Sequence, residues 1–450
     1  MDITDNIPRK IKNDILNLPK TILIYYEDPY LKNFNATILK HVNLEDISYI
    51  VLDRTCFFPE GGGQLGDTGY LEGSFGKLNV VDTQAIDDIV IHIAVKNNKV
   101  VTEGESVFGR INWNIRYERM KHHTASHLIF SAIKKVLYLE DLMYMGIQIK
   151  EDASRIDINY SKSIQWDEIM EIERLSNNVC FENRKVKIWY TNRDEAERIY
   201  DKRLGMTEIT PSGIVRIIEV DDWDVALCSG THVKSTAEIG LISITDRLKL
   251  KKGVERIEFT AGKHAYLRYN EAIKKLTELA QTLRTSTTDV PIRVNNLLRE
   301  RNELKKELNK VKEQLVEFQV FKLHNQSKAL GEFRILKKRL IDVDAQSLKR
   351  IASKLIEKDP FLIVILGSNI GNTVFLVGAA GVNAVRKGIN MAEIIRKPAM
   401  IIKGGGGGNQ RLAQAGGRIP GKLEESLCLF TREVSLKVNE FEKTNTTNNV

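Results

Sequence analysis

Cysteine is scarce in this chain, with only Cys56, Cys180, Cys228 and Cys428 in 450 residues, all far apart. A disulfide-stapled mini-protein is excluded. Long apolar runs are also missing. FLIVIL at 361–366 is among the longest, well short of the roughly 18 residues that span a bilayer, so no membrane partner is expected. The amino terminus, MDITDNIPRKIKNDIL, has early acids and no apolar segment ahead of a small-residue cleavage site. A cytoplasmic location is expected by default. Neither charge sign dominates strongly: 67 Lys and Arg against 59 Asp and Glu leave +8. The pI near 9.0 suggests a polyanionic partner. What remains is 42% apolar and 28% charged, the composition of an ordinary globular protein, at a length that suggests about three domains.

The pattern changes along the chain. From Thr21 to Arg110, segments such as TILIYY, ISYIVLD and KLNVVDT read as strands, separated by the turn signals EGGGQLGDTG and LEGSFG. A β-rich module over 1–110 follows. Residues 111–262 read as α+β. A helix runs from about Trp113 to Leu139 and a second lies near 166–180, with strands at GIVRIIEV, CSGTHV, GLISITD and VERIEFTAG. Between 263 and 328, Leu297, Leu304, Val311 and Phe318 recur every seven residues, and TSTTDVP interrupts the pattern. This predicts a helical hairpin with coiled-coil character, although Arg301 sits at a core-like position. Residues 329–443 carry FLIVILG, TVFLVGAAG and PAMIIKG as strands among helical segments, which predicts a small α/β domain. The tail, 444–450, is low in complexity and is expected to be disordered.

HTASH at 123–127 places His123 and His127 four apart, on one face of the expected helix. About a hundred residues later CSGTH repeats the offset with Cys228 and His232. Random H-x-x-x-H and C-x-x-x-H would arise about 0.14 and about 0.07 times in such a composition, jointly near 0.01. Two imidazoles, a thiolate and a third imidazole suit Zn²⁺, in a catalytic or a purely structural role. His122 points about 100° away along a helix and is expected in a supporting or surface position. PEGGGQLGDTG offers the flexible backbone of Gly61, Gly62 and Gly63 beside the Gln64 amide, but lacks the Lys-Ser/Thr end of a nucleotide loop. In KGGGGGNQRLAQAGGR, Gly404, Gly405, Gly406, Gly407 and Gly408 precede an expected short helix. With Lys403, Arg411 and Arg418 they fit contact with phosphate or RNA, a plain linker being the bland alternative. Arg247, Lys249, Lys251, Lys252, Arg256, Lys263 and Arg268 form a basic stretch, a solvated face or an RNA contact.

Taken in order, LDRTCFFPEGGGQLGDTG (52–69), HHTASHL (122–128), CSGTHV (228–233), GVERIEFTAG (253–262) and the Gly run with AQAGG (404–417) resemble a known family. It is the editing half of alanyl-tRNA synthetase and its free-standing relatives, the long-type alanyl-tRNA editing proteins. The resemblance extends from about residue 22 to 440. Departures are small: Ser126 and Ser229 replace commoner residues, Ile156 and Ile158 stand where aromatics are frequent, and Asn409-Gln410-Arg411 follows the Gly run.

The resemblance implies an α+β protein made of a translation-factor-like β-barrel, a zinc-bearing editing core, a helical hairpin and a DHH-associated domain that helps bind tRNA. It implies one Zn²⁺ held by His123, His127, Cys228 and His232. It also implies a pocket lined by Gln64 and the Gly61–Gly63 backbone, with the Thr55 hydroxyl reading a serine side chain. The implied reaction hydrolyses principally serine, with glycine a further candidate, from mischarged tRNA(Ala). With no aminoacylation domain ahead of the editing module, deacylation without charging is expected. The implied partner is tRNA(Ala), and the hairpin or the C-terminal domain offers a surface for a homodimer. Two alternatives stay open on sequence: an editing hydrolase of the threonyl-tRNA synthetase type, and a non-catalytic, zinc-stabilised RNA-binding protein.

Overall fold

The computed structural model describes residues 7–96, 99–200, 204–205 and 213–447. It divides into two compact units, 1–282 and 283–450.

In the first unit six antiparallel strands close a barrel: Asn33–Leu44, Ile47–Leu52, Gly69–Gly73, Gly76–Ile86, Ile89–Val95 and Ser106–Ile111. Their order around the barrel is first, second, fifth, fourth, third, sixth. Alternation explains the closure: Phe34, Ala36 and Ile38 point inward while Asn33 and Asn35 face water. TILIYY is not a full strand. Only Ile22–Leu23 pairs, with Arg54–Thr55, and Ile24–Tyr26 turns as a 3-10 helix that buries Tyr25 edge-on against Phe58.

The barrel leads into the helix Trp113–Leu137, which Tyr138 ends in a left-handed conformation at φ 53. Near its start Arg116 is fully buried and forms an ion pair with Asp67, while its Nη2 donates to Cys56 O at 2.7 Å. Asp67 also accepts the Phe58 N–H at 2.9 Å. This pair pins the helix to the loop that carries the glycine-rich motif. Further along, Leu128, Ile129 and Ile133 pack with Ile156, Ile158, Ile257 and Phe259 from an antiparallel sheet and with Ile169 and Ile172 from the helix Trp166–Phe181. That sheet runs Ile242–Lys251, Val254–Ala261, Ser154–Asn159, Tyr144–Gln148. The aliphatic Ile156 and Ile158 are therefore core residues. A second sheet orders Val186–Asn192, Ile214–Val220, Asp224–Leu227 and Leu204–Gly205. CSGTHV, expected as strand-like, is a loop leaving this sheet. The helix Gly262–Leu283 follows.

The second unit opens on the helix Val290–His324, with Pro291 in its first turn, where a missing N–H costs nothing. Val316, Val320 and Leu323 bury against Leu348, Ile351 and Leu355 of the helix Ala345–Lys358. Leu304, Val311 and Phe318 of the seven-residue pattern, and Leu315 beside them, stay more than half exposed. A six-stranded sheet runs Lys328–Leu330, Phe333–Arg339, Leu362–Ile370, Thr373–Ala380, Leu412–Gly417, Gly405–Gly408.

Three expectations for this unit are corrected. PAMIIKG is not a strand: Arg396–Ile401 is helical, because Ile395, Ala399 and Ile402, spaced three and four apart, bury together. The segment after the Gly run is a strand, not a helix: Ala413, Ala415 and Gly417 are buried while Gln414 and Gly416 face out, a period of two. The last helix runs Leu423–Thr447, so the expected disordered tail is helical to Thr447, and 448–450 lie outside the described residues. No described helix is long and apolar enough to cross a membrane.

Candidate metal centre and its cavity

His123 and His127 project from one face of the helix Trp113–Leu137, and Cys228 and His232 come from the loop after Asp224–Leu227. One ligand atom from each lies within 4.8 Å of all the others. The Cys228 Sγ stands 3.3 Å from both His123 Nε2 and His232 Nε2. Ligand atoms around a tetrahedral Zn²⁺ would stand about 3.3–3.8 Å apart, so the quartet is nearly closed to that geometry.

Every ring is held by its far nitrogen. The Nδ1 of His123 lies 2.9 Å from Gln64 Oε1, and that oxygen also accepts the Thr231 N–H at 3.0 Å. Gln64 Nε2 donates to Thr231 Oγ1 at 2.8 Å, which fixes the amide orientation. The Nδ1 of His127 lies 2.8 Å from Asp224 Oδ2, and the other Asp224 oxygen accepts from Ser131 Oγ at 2.5 Å. The Nδ1 of His232 lies 3.2 Å from Thr124 Oγ1, which donates to Met120 O and accepts the Val233 N–H. All three Nδ1 atoms act as donors, so each ring, when neutral, directs its Nε2 lone pair at the centre. This is the outer arrangement a metal-binding imidazole requires.

Electrostatics agree with that chemistry. Burial disfavours a thiolate at Cys228, yet the neighbouring His123 and His232 imidazoles pull its pKa well below the usual thiol value. Burial lowers His232 to about 3, keeping it neutral. Burial also opposes charge on His127, but the hydrogen bond to Asp224 and the nearby Cys228 raise it to about 10. A cation could therefore replace one proton at His127 and meet a preformed thiolate.

Three of the four form part of the wall of a cavity of about 540 Å³, and His232 lies behind them, outside the lining. Tyr26, Tyr144, Ile147, Tyr190, Arg216 and Ser229 line it beside His123, His127 and Cys228, and among the described residues no carboxylate does. Arg216, on the strand next to the cysteine strand, donates from Nη1 to Cys228 O at 2.6 Å and to Gly230 O at 2.9 Å, clamping the ligand loop.

The residues expected around the metal separate into two groups. Gly62 lines the cavity at φ 57. Gly63, at φ 79, backs onto Ile147, where a Cβ would fall 2.4 Å from Cγ2. Gln64 is fully buried and holds His123 without lining the cavity. Thr55 is also fully buried and does not line it: its hydroxyl is shared between His92 Nε2 at 2.8 Å and the Phe57 N–H at 3.0 Å. His122 is buried, with Nδ1 on Glu118 O and Nε2 accepting the Ala261 N–H, and takes no part in the quartet. In the second unit Lys403, Arg411 and Arg418 are exposed around the Gly405–Gly408 edge strand, and none is in an ion pair among the described residues. Thr124, Thr231, Asp224 and Arg216 were not legible as site residues.

Three family profiles match: tRNA synthetases class II (A) over 16–115, the threonyl and alanyl tRNA synthetase second additional domain over 215–258, and the DHHA1 domain over 333–435. The chain is an alanyl-tRNA editing-related protein with a C-terminal DHH-associated domain. Alanine–tRNA ligase of Pyrococcus abyssi is 33% identical over 413 residues, 92% of this chain and 44% of that protein. Those of Methanococcoides burtonii and Thermococcus kodakarensis are 32% and 34% identical, again over 92% of this chain and over 44% and 43% of theirs. The chain thus spans less than half the length of these relatives. Among solved structures, the C-Ala domain of Aquifex aeolicus alanyl-tRNA synthetase is 28% identical with a TM-score of 0.23, covering 24% of this chain and 97% of that one. Within this editing-related chain the second-additional-domain match contains Arg216, Cys228 and His232, whereas His123 and His127 fall between matched segments.

Proposed function

We propose that this protein is a zinc-dependent deacylase that removes principally serine, with glycine as a further candidate, from mischarged tRNA(Ala) by hydrolysing the ester at the terminal adenosine. The observation that carries the reading is the His, His, Cys, His quartet, three of whose members line a cavity large enough for an aminoacyl nucleoside end. A bound Zn²⁺ would polarise the ester carbonyl or a water and stabilise developing negative charge. The chain's own residues orient and exclude: Gln64, Asp224 and Thr124 fix the imidazoles, while Ile147, Val215 and Leu227 supply apolar wall.

A serine hydroxyl needs a polar partner that alanine would leave unpaired. Ser229 on the cavity wall fits that role better than the enclosed Thr55. An aminoacyl ester is already activated, so positioning and charge stabilisation suffice. In the second unit, Lys403, Arg411, Arg418 and the glycine run Gly404 to Gly408, exposed from Gly405 onward, are assigned to the tRNA body. The exposed seam of Leu304, Val311 and Leu315 is assigned to a second copy of the chain. The deciding experiment incubates purified protein with seryl-, glycyl- and alanyl-tRNA(Ala), with zinc and after chelation. Fast zinc-dependent loss of serine with alanine retained supports the reading, and no hydrolysis at full metal content overturns it. Tight tRNA binding without hydrolysis would favour the RNA-binding alternative.

A further inference from the structure

Arg216 does more in this cavity than hold the ligand loop. Its Nη1 is committed to two carbonyls, but its Nε is buried and has no hydrogen-bond partner. A guanidinium N–H left unpaired inside a protein is costly, so the position suits an acceptor brought by a ligand. Among the described residues no carboxylate forms an ion pair with Arg216, and none lines the cavity. The acceptor is therefore expected to be anionic.

The surroundings narrow its chemistry. Arg216 lies over the Tyr26 ring, 5.2 Å from its centroid, and its cross-strand partner is Tyr190. Tyr190 is 49% exposed and Ile214, also on the lining, is 74% exposed. An unsatisfied guanidinium beside an accessible aromatic ring is how proteins hold a single-stranded nucleotide, the ring taking the base and the cation the phosphate.

We propose that Tyr190 and Arg216 form the subsite for the terminal nucleotide of the RNA, Tyr190 stacking on the base and the Arg216 Nε–H donating to the phosphate on its 5′ side. This rests on the reading of the protein as an aminoacyl-RNA hydrolase, and it assigns the end of the RNA to the wall that carries Tyr190 and Arg216. Arg216 then couples two tasks, because the same guanidinium that meets the phosphate holds the carbonyls of Cys228 and Gly230.

The test compares adenosine 5′-monophosphate with adenosine on the metal-loaded full chain by calorimetry. The wild type should bind the monophosphate at least tenfold more tightly. Arg216→Met, and Arg216→Gln should the first lose metal, should erase that difference while adenosine still binds. Tyr190→Ala should weaken both ligands about tenfold, and Tyr190→Phe should restore them. A short oligoribonucleotide ending in CCA should displace the monophosphate. Equal affinity of the two ligands for the wild type, no binding of either at millimolar concentration, or unchanged binding in Tyr190→Ala would each overturn the proposal. So would a monophosphate that the oligonucleotide fails to displace, which would make the site one for free nucleotides. Failure of the wild type to deacylate mischarged tRNA strikes the hydrolase reading separately, since these binding measurements do not depend on turnover.

Discussion

Gly230 stands against the His123 imidazole so closely that a Cβ built on it would fall 2.0 Å from the ring Cε1 and 2.2 Å from Nδ1. The glycine of the cysteine loop is thus fixed by a histidine more than a hundred residues away. The loop can present Cys228 and His232 only because nothing projects at that point.

Gly230→Ala should accordingly push His123 or the loop out of place. Metal content per chain, measured by elemental analysis, should fall to well under half. Ser229→Ala, one residue away on the cavity wall, should keep its metal. Full occupancy in Gly230→Ala would mean that the ligand loop is not held as described.

Asp224 sets the His127 ring through Nδ1 and is itself held by Ser131. Loss of such an outer partner typically weakens metal affinity by about 10- to 100-fold. Asp224→Ala should show that loss in competition with a chromophoric chelator, and Cys228→Ala a larger one. Equal affinities for wild type and Asp224→Ala would remove the carboxylate from the centre.

Thr55 and His92 make a prediction about stability. The His92 Nδ1 donates to Ile50 O at 3.1 Å and its Nε2 accepts from Thr55, so the buried ring is held neutral. Burial lowers its pKa to about 4 from an ordinary value of 6.5. The unfolded chain therefore binds a proton that the folded chain refuses. This contribution is complete above pH 6.5 and is lost as pH falls towards 4, by about 3 kcal/mol in all. Urea unfolding of the wild type between pH 7 and pH 4.5 should show the decline, with a flatter slope in His92→Gln. Thr55→Val should cost about 1–3 kcal/mol by stranding the His92 nitrogen and the Phe57 N–H. Its ratio of serine to alanine hydrolysis should match that of the wild type, and a changed ratio would restore Thr55 to substrate recognition.

Much of the site was legible in the residues and some of the fold was not. Two four-residue spacings, each improbable by chance, sufficed to name the four side chains that the fold brings together as a candidate metal site. The partners of those ligands were hidden because Thr124, Thr231 and Asp224 are common residue types with no spacing rule, meeting their histidines only through tertiary contact. Thr55 and Gln64 stood in the right motif, but sequence offers no sign of whether a polar side chain faces a cavity or the interior. PAMIIKG and RLAQAGG failed for a related reason, since short apolar runs fit strand and helix alike until packing chooses.

The two compact units suggest a clean division of labour. A chain cut after Thr282 should keep metal and hydrolyse at high substrate, while binding tRNA more weakly and with a shallower dependence on salt. Filter binding across a salt series measures this, and an unchanged slope would free Lys403, Arg411 and Arg418 from any role in anchoring RNA.

The glycine run at the sheet edge also has a consequence for inheritance. At Gly404, Gly406 and Gly408 an added Cβ would lie within 2.6 Å of neighbouring backbone, whereas at Gly405 and Gly407 it would meet nothing within 4 Å. Five identical letters are therefore under two different regimes. The even-numbered three are held by the fold itself, and no descendant can replace them without moving the adjacent strand. Gly405 and Gly407 are sterically free, so wherever lineages nevertheless retain them, the constraint comes from whatever presses against that edge from outside.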